Sequence, residues 1–118
     1  MASGKNSDAV VPGSGNVFAD LGLRDAEEKQ TRVHLAVAIN QIIQARLLTQ
    51  TEAARLLDVN QPKISALMNY QLDGFSVERL MHFLNALDRD VEIVIRKKPR
   101  SRRSARIVVT EAPVSNAG

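Results

Sequence analysis

Apolar residues recur every three or four positions over most of the chain, which is the spacing of amphipathic helices. Asp25 followed by Glu28 is a pairing typical of a helix N-terminus, and it predicts a first helix from Asp25 to about Arg46. The apolar stripe of this helix consists of Leu35, Ala36, Ile39, Ile42, Ile43 and Leu47. The apolar patch before it, Val17–Leu23, is too short to form a helix by itself. We expect that patch to dock on the domain or to be captured by a partner.

Two short helices follow, and each has a recognisable start. Thr49, with a glutamate three residues later, forms a second capping box and predicts a helix over Gln50–Leu57. Asn60 is a good N-cap, and Pro62 fits only in the first turn of a new helix, where its missing N–H costs little. The sequence therefore predicts a third helix over Gln61–Asn69 after a three-residue turn.

A fourth helix is predicted after the loop Tyr70–Phe75. Ser76 is its N-cap, and Phe75 with Leu80 is placed as a hydrophobic staple across the helix start. The buried stripe is expected to comprise Leu80, Phe83, Leu84 and Leu87.

After Asp88 the apolar period changes from 3.6 to 2. Val91, Ile93 and Ile95 alternate with other residues and predict a strand over residues 90–97. Because a lone strand in a helical chain leaves unpaired backbone groups, we expect it to pair with a second copy, with these three side chains in the dimer interface. Ile107–Val109 is a further short candidate strand.

Charge is concentrated in one segment of the 118 residues. The net charge is +3, yet Arg96–Arg106 alone holds seven cations and no acid, so the remainder carries −4. A length of 118 residues suits one domain. We expect a disordered N-terminal tail over residues 1–16, a folded domain over 17–97 and a basic, disordered tail over 98–118.

Several classes of site are disfavoured by composition. The chain has no Cys, so it has no disulfide, thiol nucleophile or Cys-ligated metal. No apolar run is long enough to span a membrane, and no signal pattern precedes the domain. His34 and His82 lack ligand spacing, and no nucleophile elbow or phosphate-binding glycine loop occurs. We therefore expect a cytoplasmic, non-enzymatic protein with no cofactor, metal or small-molecule substrate.

The second and third predicted helices carry the features of a helix-turn-helix. Ala54 is the small residue that lets the two helices cross closely. The apolar contact set is Ala53, Leu57, Val59, Ile64 and Leu67. The opposite face of the third helix stays polar and could reach base edges and phosphates in a major groove.

These residues resemble a known family. Residues 49–68, TQTEAARLLDVNQPKISALM, are similar to the helix-turn-helix of phage Cro and repressor proteins, the XRE class. Residues 17–97 more widely resemble the HigA-type antitoxin subgroup, through NVFADLGL, LTQTEAA, QPKIS and GFSVERLM. The chain departs from the family at two usual glycines, which are Asp58 and Tyr70 here. The resemblance implies an all-α, lambda-repressor-like bundle of four to five helices.

Carried over by position, the resemblance also implies a DNA-binding surface. Its residues are Gln50, Thr51, Asn60, Gln61, Pro62, Lys63, Ser65, Ala66 and Asn69. Gln61 could pair an adenine edge and Lys63 a guanine edge, with Pro62 and Ala66 limited to apolar contact with thymine methyl groups. Gln50, Ser65 and Asn69 would contact the DNA backbone.

Three partners follow from the resemblance: a double-stranded operator, a second copy of the chain, and a toxin. A homodimer would place its recognition helices about 34 Å apart on a pseudo-palindrome. The toxin would be an RelE/HigB-like enzyme that cleaves messenger RNA, neutralised by this chain, which would repress their shared operon. Val17–Leu23 and Arg96–Val109 are the candidate toxin-binding segments. The alternative is a protein-interaction module that uses the helix-turn-helix as a scaffold, which the acidic balance outside residues 96–106 favours.

Overall fold

A computed structural model of the chain describes residues 17–112, with side chains described from Asp25 onward. It contains four helices: α1 (Val17–Ala45), α2 (Gln50–Leu57), α3 (Gln61–Met68) and α4 (Val77–Ala86). The predicted all-α helix-turn-helix fold is confirmed. The predicted tail over 1–16 and the last six residues lie outside the described part. The chain divides within α1 into two units, Met1–Gln30 and Thr31–Gly118.

The predicted start of the first helix is wrong. α1 begins at Val17, eight residues before Asp25, and therefore includes the apolar patch that was expected to be too short for a helix. A short segment that continues an existing helix does not need a nucleus of its own, since each added residue gains a hydrogen bond. Asp25 accordingly lies inside α1, where its carboxylate pairs with the Lys29 ammonium at 3.5 Å.

The second unit is built around a core to which every helix contributes. Its largest fully buried side chains are Ile39, Ile43, Ile64, Leu67, Leu80 and Leu87. Burying one such side chain stabilises a fold by about 1.5–3 kcal/mol. On α2, Ala53 and Ala54 are both buried. Their small side chains let α3 pack closely against α2, as predicted.

Two polar side chains of α1 hold the ends of other helices. The buried Asn40 donates from Nδ2 to the Leu67 carbonyl of α3 at 3.2 Å. Its Oδ1 accepts no hydrogen bond within the described residues. Arg46, just after α1, donates from Nη2 to the Leu87 carbonyl at 2.7 Å, at the C-terminus of α4. These contacts fix α3 and α4 relative to the same long helix.

Each of the four helices is followed, within two residues, by a residue other than glycine in the left-handed conformation. The φ values are 56° at Leu47, 57° at Asp58, 61° at Tyr70 and 63° at Asp88. Each end shows the Schellman pattern; after α1, for example, the next residue's N–H donates to the Ile43 carbonyl at 3.1 Å. The two departures from the family's glycines therefore keep the backbone that glycine would adopt, at a cost of about 1–2 kcal/mol each.

Replacing Leu47 with glycine is expected to stabilise the protein by about 0.5–1 kcal/mol, because the left-handed strain disappears and glycine's backbone entropy offsets only part of the gain. The Leu47 side chain is 86% exposed, so little packing is lost. Urea unfolding measures the effect. The control is Gln41→Gly, at an exposed position one turn before the end of α1, which should destabilise by about 1 kcal/mol. Destabilisation by both substitutions would contradict the assignment of strain.

The C-terminal arm, residues 90–112, has no helix or strand. Val91 and Val109 are half-buried against the core. Residues from two stretches of the arm line one pocket; they are Asp90, Glu92, Val94, Thr110 and Ala112. Ile93 and Ile95 are 77% and 92% exposed. The strand predicted over 90–97 is thus not formed within this single chain, and its pairing with a second copy stays a prediction.

None of the helices in residues 17–112 is both long enough and apolar enough to cross a bilayer.

Candidate nucleic-acid interface

The N-terminus of α2 is fixed by the predicted capping box. The Thr49 hydroxyl accepts from the Glu52 N–H at 3.1 Å, and the Glu52 carboxylate accepts from the Thr49 N–H at 2.8 Å. The hydrogen bond from the Thr49 backbone, and then that from its hydroxyl, lower the pKa of Glu52 below its ordinary 4.5. The contribution of this carboxylate to stability is therefore present above pH 4.5 and is lost as the pH falls through the lowered pKa. Gln50 and Thr51 follow in the first turn of α2; Gln50 is half-buried and Thr51 is exposed.

The turn between α2 and α3 sets where α3 begins. Asn60 caps α3 with its Oδ1, which accepts from the Lys63 N–H at 2.9 Å. Pro62 occupies the first turn of α3, as predicted. α3 ends at Met68, one residue before the predicted end, and Asn69 instead donates its side-chain amide to the Ser65 carbonyl at 2.9 Å.

One side of α3 is buried and the other faces outward. Ile64 and Leu67 are completely buried. The predicted site residues on this helix are exposed at Gln61, Pro62 and Asn69 and half-buried at Lys63, Ser65 and Ala66. The buried residues hold the helix rigidly while its first turn remains accessible.

The two N-termini are linked by a pair of glutamines. Gln61 donates from Nε2 to the Gln50 Oε1 at 3.5 Å. This long, exposed contact brings a residue predicted to contact DNA backbone next to one predicted to contact a base. Each amide keeps donor or acceptor capacity for a further partner.

Lys63 is held by the loop between α3 and α4. Its ammonium donates to the Gly74 carbonyl at 3.1 Å and lies 4.8 Å from the centre of the Phe75 ring. A Cβ at Gly74 would stand 2.7 Å from that nitrogen, so the glycine leaves room for this contact. The sequence analysis gave neither residue a role at this site; it placed Gly74 in the loop Tyr70–Phe75 and Phe75 in a hydrophobic staple with Leu80.

The helix-turn-helix region has little positive charge of its own. Residues 50–86 hold three cations, Arg55, Lys63 and Arg79, against four acids. The net charge of this region is therefore −1, and one of its cations is the lysine already occupied by the loop. Any attraction to a polyanion must draw on cations elsewhere in the chain.

Within residues 17–112 no group of three or more His, Asp or Glu side chains is arranged to hold a metal ion. His34 and His82 are both exposed. His82 lies 3.8 Å from the Glu78 carboxylate, one turn away on α4.

The fold is similar to that of a known family and of a solved structure. A family model described as a helix-turn-helix domain matches residues 17–96. The chain belongs to this family of helix-turn-helix domains. A solved structure described as a "Putative XRE Family Transcriptional Regulator" is similar to this helix-turn-helix protein, with 65% sequence identity and a TM-score of 0.73. The similarity covers 75% of this chain and 99% of that one. No curated protein matches.

These matches agree with the predicted XRE-type helix-turn-helix. Neither match distinguishes the predicted HigA-type subgroup from other proteins of this class.

Proposed function

We propose that this helix-turn-helix protein is a cytoplasmic, sequence-specific DNA-binding transcriptional regulator. The observation that carries the proposal is α3, whose first turn exposes Gln61 and Pro62 while Ile64 and Leu67 are completely buried. A helix held in this way is suited to enter a major groove as a rigid body. The similarity to the XRE family structure supports the same function.

In this proposal, base recognition centres on few groups. Gln61 reads an adenine edge, and Pro62 and Ala66 contact thymine methyl groups. Gln50, Thr51 and Asn60, around the starts of α2 and α3, contact phosphates together with Ser65 and Asn69. With so few strong base donors, part of the specificity comes from the shape of the duplex. Lys63 can reach a guanine only by leaving Gly74 and Phe75.

Substituting Gln61 with alanine is expected to weaken binding to a preferred duplex by about 1–3 kcal/mol and to relax the preference at one base pair. The duplex is obtained by selection from a random library, and binding is measured by fluorescence anisotropy. The control, Gln41→Ala, removes an exposed glutamine of α1 and should leave binding unchanged. Equal affinities for Gln61→Ala and the unsubstituted protein would contradict the proposed recognition surface.

A second candidate function is a protein-interaction module in which the helix-turn-helix is only a scaffold. The net charge of −1 over residues 50–86 favours it, because duplex binding depends on cations that neutralise phosphates. Absence of measurable binding to any duplex at low salt would select this candidate.

We further propose that the regulator acts as a homodimer joined through Val91, Ile93 and Ile95. The exposure of Ile93 and Ile95 supports this, since such side chains are usually covered in the working assembly. Two copies would present two α3 helices to a pseudo-palindromic operator, with half-sites about 34 Å apart.

We also propose that this regulator is the antitoxin of a type II toxin–antitoxin pair and represses its own operon. The support is the sequence resemblance to the HigA-type subgroup over residues 17–97. The partner would be an RelE/HigB-like toxin covered by Val17–Leu23 or by Arg96–Val109. Co-expression with the neighbouring reading frame, followed by pull-down and growth assays, tests the pairing. A neighbouring product that is harmless when expressed alone would contradict it.

A further inference from the structure

The middle of the C-terminal arm carries the densest charge in the protein. We call Arg96–Arg106 the basic turn; it holds seven cations and no acid within eleven residues. None of these side chains belongs to the helix-turn-helix surface described above, so the proposed recognition of DNA by α2 and α3 does not use them.

Two of the seven cations shape the turn itself. Lys98 donates from its ammonium to the Arg102 carbonyl at 2.6 Å and to the Pro99 carbonyl at 3.2 Å. Arg102 donates from Nη1 to the Ser104 carbonyl at 3.2 Å, and its N–H donates to the Pro99 carbonyl at 3.2 Å. Both side chains are half-buried. The backbone between Lys98 and Ser104 is therefore closed by hydrogen bonds.

The other five cations face outward. They are Arg96, Lys97, Arg100, Arg103 and Arg106, all exposed. No acid in residues 17–112 forms an ion pair with any of them. Five like charges so close in sequence repel one another, and a polyanion that binds them removes that repulsion.

The chemistry of these cations fits phosphate. Four of the five are arginines, whose planar guanidinium groups bind phosphate oxygens with two parallel hydrogen bonds. The region that the proposed function places in the major groove has a net charge of −1. A protein that binds DNA must nevertheless release counterions by neutralising phosphates.

We infer that the basic turn is a second DNA-binding site of this chain, which grips backbone phosphates and supplies most of the sequence-independent affinity for duplex DNA. The inference rests on the proposed function, because it assigns to the turn the phosphate contacts that α2 and α3 cannot supply by charge. An acidic protein surface is the competing partner.

The test compares two variants with the same change of charge in the full chain. The turn variant is Arg100→Gln, Arg103→Gln and Arg106→Gln; the control variant is Lys29→Gln, Arg79→Gln and Arg89→Gln. Binding to a short duplex of mixed sequence is followed by fluorescence anisotropy over a series of KCl concentrations. Thermal unfolding is measured for both variants, and unchanged midpoints establish that binding differences are not folding differences.

The turn variant is expected to lower the slope of log K against log salt by about 2–3 in magnitude and to weaken binding by about ten-fold or more at low salt. The control variant should change the slope by less than about one. Equal changes in the two variants would overturn the inference, as would an unsubstituted protein that does not bind the duplex at low salt.

A second set of measurements tests the competing partner and shows which of the two proposals fails. If the turn variant loses binding to a polyglutamate peptide but keeps duplex binding, the turn is a site for acidic proteins and the inference fails. Gln61→Ala should leave the salt slope on the mixed-sequence duplex unchanged, since it removes no charge. If the unsubstituted protein prefers no base sequence but the turn variant has a lowered salt slope, the proposed sequence specificity is wrong and the inference about the basic turn stands. If the unsubstituted protein prefers a base sequence but the turn variant keeps the full salt slope, the inference is wrong and the proposed function stands.

Discussion

Replacing Ile93 and Ile95 together with aspartate is expected to make the protein monomeric and to weaken its binding to a two-half-site duplex by about a hundred-fold or more, since the second half-site would no longer be held by a tethered partner. The two isoleucines are among the most exposed large apolar side chains described, and Val91 fixes the base of their segment against the core. Pairing between copies would bury them, whereas buried aspartates lose hydration and repel one another across a symmetric interface.

Sedimentation velocity reports the oligomeric state, and anisotropy with the selected duplex reports the affinity. Gln41→Asp with Leu47→Asp is the matched control, because it adds the same charge at two exposed positions outside the arm. That control should remain dimeric and bind normally. A dimer that persists in the Ile93→Asp, Ile95→Asp variant would show that the copies associate through another surface. If the unsubstituted protein is itself a monomer, the proposed homodimer is wrong.

Local signals made the three short helices predictable. Thr49, Asn60 and Ser76 each cap a helix by accepting a backbone N–H three residues ahead. Because both partners of such a bond lie within four residues, the sequence pattern alone contains the interaction. The start of α1 was missed for the converse reason. Residues 17–24 are helical as the N-terminal continuation of the residues after them, and such a continuation is not contained in a pattern of four residues.

The candidate site was predictable in position but not in its details. The polar face of α3 follows from helical periodicity. The contact of Lys63 with Gly74 and Phe75 joins positions eleven and twelve residues apart and depends on how the loop after α3 folds back. Likewise, alternation around Ile93 predicted a strand, but a strand requires a partner to accept its backbone hydrogen bonds. Within residues 17–112 no segment forms that pairing, so no strand is present there.

Asn40→Asp is expected to destabilise the protein by about 3–5 kcal/mol at neutral pH, the range for an uncompensated buried charge. The Asn40 amide donates to the Leu67 carbonyl at 3.2 Å, and its Oδ1 receives no donor within the described residues. An aspartate there would direct a carboxylate at a carbonyl oxygen, with no hydrogen-bond donor to offset the desolvation. Because Leu67 belongs to α3, the same change is expected to loosen the proposed recognition helix and to weaken duplex binding.

The pH dependence distinguishes this cause from a general loss of packing. Burial raises the pKa of the introduced carboxyl above its unfolded value, so the folded variant binds more protons than the unfolded one. Its stability should therefore recover towards acidic pH, where the protonated carboxyl can donate to the Leu67 carbonyl, and fall as the pH rises through the raised pKa.

Asn85→Asp is the matched control, since Asn85 makes a similar side-chain bond to the Arg89 carbonyl at 2.9 Å but is exposed. Urea midpoints for both variants across the acidic to neutral range measure the difference. A penalty for Asn40→Asp that is small, or that does not change with pH, would mean that water reaches this side chain and that α3 is held by apolar packing alone.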